Sequence, residues 1–155
     1  MNKKQLTGLV IIPTLTEISK GFSDEAVMAV EMIIAHEARR GHYLKQKGGP
    51  ALGLIGMEPT THESTWSYGD TIWCNAVDIG IITKEDFNRL KHPPAERLIY
   101  DLRYNIFMAR QRLFMKPKAL PKTPKAMSIY LKNYWNSVNG AAKPSSYFTD
   151  WVCWR

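Results

Sequence analysis

The densest collection of reactive side chains runs from His36 to His42, where an acid, two imidazoles and two guanidiniums fall within one short segment. A zinc-protease site is excluded by spacing. That motif needs two histidines four apart on one helical face with a glutamate between them, whereas His36 and His42 are six apart and Gly41 interrupts the helix. No metal ion and no other cofactor is expected. Ser64, Ser67, Cys74 and Cys153 sit in no local pattern of an activated nucleophile. Acyl transfer therefore has no support.

The acid is more informative. Glu37 follows Ile33 and Ile34 by four and three positions and Val30 by seven, which places all four on one face at the C-terminal end of a helix. Partial desolvation and the negative helix end both disfavour the charged carboxylate and raise its pKa. A general acid working near neutral pH needs that shift. Two alternatives stay open on periodicity alone. Glu31, with Val27 and Ala35 four residues to either side, is equally buried by pattern, and Glu37 stands three residues from Arg40, a surface ion-pair spacing.

The element that carries Glu37 should begin at Ser23, an N-cap residue followed by Asp24 and Glu25 at the positive helix end. It is expected to run through Arg40 and close at Gly41. Its residues Ala26 to Ala35 are apolar on most of the circumference, so a central, buried helix is predicted. A glycine-rich stretch, Gly48 to Gly56, follows, with an irregular hairpin around Leu52 to Met57. Further helices are expected over Pro59 to Trp66 and from a Thr83/Asp86 capping box to Lys91. Leu98, Leu102, Ile106, Ala109 and Leu113 recur at helical spacing and predict one long helix over 95–115, stopped by Pro117. Another follows Pro124 to about Val138, and a last one over 146–154 carries aromatics that dock on the body. The fold class is thus mainly α, in one domain over residues 1–155.

Composition sets the outer limits. A chain of 155 residues with 45% apolar and 23% charged residues can bury a sizeable core. Leu9 to Ile12 is cut short by Pro13, so no membrane-spanning helix and no export signal are expected. Cys74 and Cys153 are expected to be free, buried thiols. The net charge of +7 favours anionic partners, but Lys and Arg are dispersed and no nucleic-acid motif appears. Nucleic acid is not the expected partner.

The segments AHEARRGHYLKQKGGPALGLIGMEPTTH, YDLRYNIFMARQRLF and YLKNYWNSVNG resemble the lysozyme-like superfamily, in particular phage-type peptidoglycan hydrolases and their lytic transglycosylase relatives. In that family a glutamate ends a buried helix, often as Glu-Ser; Glu37-Ala38 is similar. A floor segment follows, matched by Leu52, Gly53, Leu54, Met57, Pro59 and Thr61, with Gly56 where glutamine is usual. Asn105, Ile106 and Ala109 fit an element that packs behind the acid. Trp135-Asn136 stands for the family's Tyr-Asn, with Tyr134 one residue away.

The resemblance implies a lysozyme-like fold with a central buried helix and a minimal β-hairpin, without a separate wall-binding domain. It implies a glycosidase that cleaves the β-1,4 bond after N-acetylmuramic acid, with Glu37 as general acid. Glycoside hydrolysis also needs a second carboxylate to activate water or act as nucleophile. Glu58 is the first choice and Glu63 and Asp70 the next; Glu58 alternatively acts only as a charge at a helix N-terminus. Without a placed second carboxylate, lytic transglycosylase chemistry and a 1,6-anhydro product follow. Tyr43, Gln46, His62, Trp66, Tyr104 and Tyr134 are expected along the groove walls. The implied partner is the peptidoglycan strand, met by a monomer held in the host cytoplasm until lysis or carried on the virion. The rival class is a basic structural or nucleic-acid-binding protein without activity.

Overall fold

The computed structural model describes residues 1–136 and 140–155. It is mainly α-helical, and the only strand-like pairings among the described residues are the bridges Lys45–Leu52 and Leu52–Met57. The expected minimal hairpin is therefore present as two isolated bridges.

The chain opens with a helical rod that the sequence did not suggest. Helix α1 (Lys3–Leu6) passes through one π turn (Thr7–Ile11) into α2 (Ile12–Glu17). Ile12 N–H reaches back to Thr7 O, and this wider turn accommodates Pro13, which has no N–H of its own to donate. Asn2 caps the rod by accepting from Gln5 N at 3.0 Å.

Helix α3 (Asp24–Glu37) is the centre of the molecule. Ser23 Oγ accepts from Ala26 N at 3.0 Å, as its N-cap position requires. Residues Val30 to Ala35 are all buried. The rod, α8, α9 and α10 pack around α3. Each large apolar side chain sealed there contributes about 1.5–3 kcal/mol. The helix ends earlier than expected, at Glu37 rather than Arg40. Arg39 and Arg40 take left-handed φ of 45° and 62°, Arg40 N donates to Ala35 O and Arg39 N to His36 O. This closing pattern satisfies the last carbonyls, with an arginine where glycine is usual.

After the irregular stretch come α4 (Pro59–Trp66), α5 (Asp70–Asp78) and α6 (Lys84–Asn88). The Thr83/Asp86 capping box forms as expected; α5 was not anticipated. The predicted long helix is two: α7 (Arg97–Tyr100) and α8 (Leu102–Phe114). Asp101 breaks it, extended at φ −114° and ψ 100°, with Oδ1 accepting from Tyr104 N at 2.9 Å. Asn105 Nδ2 then ties the corner, donating to Leu98 O and Asp101 O. Helix α9 (Pro124–Leu131) continues into a π turn (Lys132–Asn136), and α10 (Pro144–Val152) closes the chain. Of the expected extension of α9 to Val138, the part to Asn136 is this π turn, and the part beyond it lies outside the described residues. Cys74 and Cys153 are free, but both are exposed rather than buried. Among the described residues, no helix is long and apolar enough to cross a membrane.

Candidate functional site

The closing motif of α3 sets the position of Glu37. By ending the helix one residue later, it leaves the Glu37 side chain half-buried at the edge of the core, in the wall of an open cavity of about 400 Å³. Burial is the largest influence on this carboxyl and pushes its pKa up; a hydrogen bond from Tyr147 and the nearby His36 pull it back only in part. The net direction is upward, towards the protonated form that a general acid needs.

Tyr147, on α10, is fully buried and donates its hydroxyl to Glu37 Oε1 at 2.8 Å. Burial, and then the Glu37 charge and hydrogen bond, push the phenol pKa upward, so Tyr147 remains a donor. Its ring lies 4.3 Å from that of His36, whose Nδ1 is 2.8 Å from Asp150 Oδ2. The acid is thus held from one side by a braced chain of α10 residues. Arg40 does not pair with it; its guanidinium reaches Cys153 O at 3.5 Å.

Gly56 closes the other side. At φ +57°, a Cβ added here would stand 2.8 Å from Glu37 Cβ and 2.9 Å from Oε2. The turn from Gly53 to Met57 therefore approaches the carboxylate as bare backbone. At 56 the useful property is the missing side chain.

Eight residues expected at the site reach the cavity together with Glu37: Tyr43, Gln46, Gly56, Met57, Glu58, Thr61, Trp135 and Asn136. Tyr43 is exposed, and Gln46 Oε1 accepts from Ala51 N, which fixes the loop. Glu58 occupies the N-cap position of α4, but its side chain makes no capping hydrogen bond. Its exposed carboxylate is turned to the same cavity as the half-buried Glu37. Trp135 and Asn136 arrive on a π turn, a backbone form frequent at functional sites.

The other residues named for the groove lie away from the cavity. Tyr104 and His62 do not line the cavity: both are buried, 2.7 Å apart, and Trp66 Nε1 donates to the same Tyr104 hydroxyl. Burial drives the His62 pKa down to about 4, so its imidazole is neutral in the core. Trp66 is also buried, stacked on His92. Leu54 is sealed in the core, and Gly53, at φ +75°, brings backbone against Asn105 Oδ1 and Leu98. Asn105 itself is wholly buried and supports the floor from behind. Tyr134 packs on Tyr130 at 4.7 Å, leaving Trp135 as the aromatic of this segment on the groove, with Tyr43.

Glu31, the rival acid, is buried and fully engaged. It accepts from Thr7 Oγ1 at 2.6 Å and Trp151 Nε1 at 2.7 Å, and pairs with Lys3 at 3.2 Å. These bonds fasten the N-terminal rod and α10 to α3. Three site residues had no signal in the sequence: Tyr147, Lys45 and Arg112. Tyr147 is separated from Glu37 by 110 positions, a distance no local pattern spans.

Taken as chemistry, the cavity combines one half-dry carboxyl, one exposed carboxylate and polar and aromatic walls. Comparisons with protein-family models, with curated proteins and with solved structures find no match.

Proposed function

We propose that this chain is a peptidoglycan-cleaving glycosidase in which Glu37 protonates the leaving oxygen of the β-1,4 bond between N-acetylmuramic acid and N-acetylglucosamine. The observation that carries the reading is the environment of Glu37. Burial raises its pKa while its side chain still borders a cavity large enough for sugar rings. A carboxyl in that state can donate a proton to a glycosidic oxygen near neutral pH. The motif resemblance supplies the substrate class.

Glu58 supports hydrolysis over the transglycosylase route. It is a second carboxylate on the same cavity, free of a capping hydrogen bond and exposed to water. Different environments for two carboxyl groups are what separate an acid from a base or nucleophile in such enzymes.

The test is a clearing assay on Gram-negative peptidoglycan with wild type, Glu37→Gln and Glu58→Gln. Clearing by the wild type, with loss of at least ~100-fold in Glu37→Gln, is expected. Equal clearing by wild type and Glu37→Gln sinks the assignment of Glu37. Mass spectrometry of the products separates reducing ends, expected here, from 1,6-anhydro ends, which would leave Glu37 as the sole acid and base. No clearing by wild type, with DNA retention that persists at moderate salt, would favour the binding-protein class.

A further inference from the structure

The cavity beside Glu37 also holds a guanidinium that forms no ion pair among the described residues. Arg112, on α8, lines it and is half-buried, and burial pushes its pKa down. Among the described residues, no carboxylate or carbonyl meets its side chain. The neighbouring arginines behave differently: Arg97 binds Asp101 and Ile81 O, Arg103 binds Glu17 and Ile79 O, and Arg110 binds Gly21 O.

A partly desolvated charge without a partner is costly, and the cost is offset when an anion arrives with good geometry. One further cation on the cavity adds to it. Lys45 lines the same cavity as Arg112. Arg112 is not among the groups that set the Glu37 acid, which are Tyr147 and His36. Proton donation and anion holding are thus assigned to separate side chains of one groove.

Resting on the glycosidase reading, we propose that Arg112 anchors a carboxylate borne by the glycan, so that the groove selects acid-bearing muramyl strands over neutral N-acetylglucosamine polymers. Two sources present that chemistry: the lactyl carboxylate of an unsubstituted muramic acid, and the carboxylates of a stem peptide. The planar fork of arginine suits bidentate capture of either, which a lysine would match only as a point charge.

The experiment uses the full chain in the Glu37→Gln background, with Arg112 native or changed to Met or Lys, each folded by circular dichroism. Calorimetry measures Kd for three soluble glycans: peptide-bearing strands, the same strands after amidase removal of the peptides, and neutral chitooligosaccharides. Arg112→Met should weaken the acid-bearing glycans about tenfold more than the neutral one, and Arg112→Lys should recover part of that preference. A preferential loss already seen on stripped strands assigns the lactyl carboxylate; one confined to peptide-bearing strands assigns the stem. An equal effect on all three glycans, or none, overturns the proposal. Failure of the wild type to cleave any muramyl strand overturns the glycosidase reading itself.

Discussion

The Tyr147 hydroxyl donates to Glu37 Oε1 at 2.8 Å, so the last helix of the chain holds the acid at the end of the central one. This bond favours the charged carboxylate and opposes the upward push of burial. Removing it with Tyr147→Phe should therefore raise the Glu37 pKa further. A hydrogen bond that favours the ionised form holds the pKa down, and its loss lets burial act unopposed. The basic limb of the kcat/KM profile should move to higher pH, while the maximum falls because the carboxyl loses its orientation. A limb that stays in place in Tyr147→Phe would show that Glu37 does not control it.

The same burial predicts an unusual stability effect. Glu37 has a folded pKa above its ordinary 4.5, so between the unfolded and folded values the native state binds more protons than the unfolded one. By linkage, stability falls as pH rises through that window, and the cost of ionising Glu37 is fully present above its folded pKa. Glu37→Gln removes that cost and can still accept from Tyr147. The variant should melt at a higher temperature than wild type at pH 7, and the difference should shrink towards zero as pH is lowered past 4.5. A lower Tm for Glu37→Gln across the whole range would contradict this.

The half-buried position of Glu37 was legible in the sequence because its signal is local: Val30, Ile33 and Ile34 repeat at helical spacing and fix which face Glu37 shares, while the same periodicity left Glu31 open as a rival. The N-cap at Ser23, the Thr83/Asp86 box and the start of α4 at Pro59 were legible for the same reason. Where a side chain breaks a continuous pattern, periodicity failed. Asp101 interrupts an apolar stripe that continues across it, since Leu98 and Leu102 both point inward at helical spacing while the backbone between them is extended. Tyr104 and His62 carried polar tips suited to a groove, but those tips bond each other in the core. Tyr147 and Arg112 belong to the site through tertiary packing alone.

Gly56 offers a direct test of how tightly the floor is built. A methyl group at 56 would meet Glu37 Cβ at 2.8 Å and Oε2 at 2.9 Å, in a backbone conformation that disfavours side chains. The left-handed conformation alone costs a non-glycine residue about 1–2 kcal/mol. Gly56→Ala should lower stability by at least that much and, by displacing the carboxyl, should reduce kcat about tenfold or more. Gly56→Gln should be worse than Gly56→Ala, because its longer side chain must cross the same space. An active, undisturbed Gly56→Gln would mean that the turn moves freely away from Glu37.

Two glutamates on one helix, Glu31 and Glu37, should respond oppositely to the same substitution. Glu31 accepts from Thr7 and Trp151 and pairs with Lys3, so its charge is matched on three sides by groups from the rod and from α10. Changing it to Gln weakens charge-assisted bonds and leaves a buried amide whose own donors face Trp151 or Thr7. A loss of about 2–3 kcal/mol is expected, read by urea denaturation at pH 7, whereas Glu37→Gln should gain stability under those conditions. Glu31→Gln should also lower protection of α10 amides against hydrogen exchange, because Trp151 is released from α3. If Glu31→Gln were as stable as wild type, its three bonds would carry no net weight, and the rod and α10 would be held by apolar packing instead.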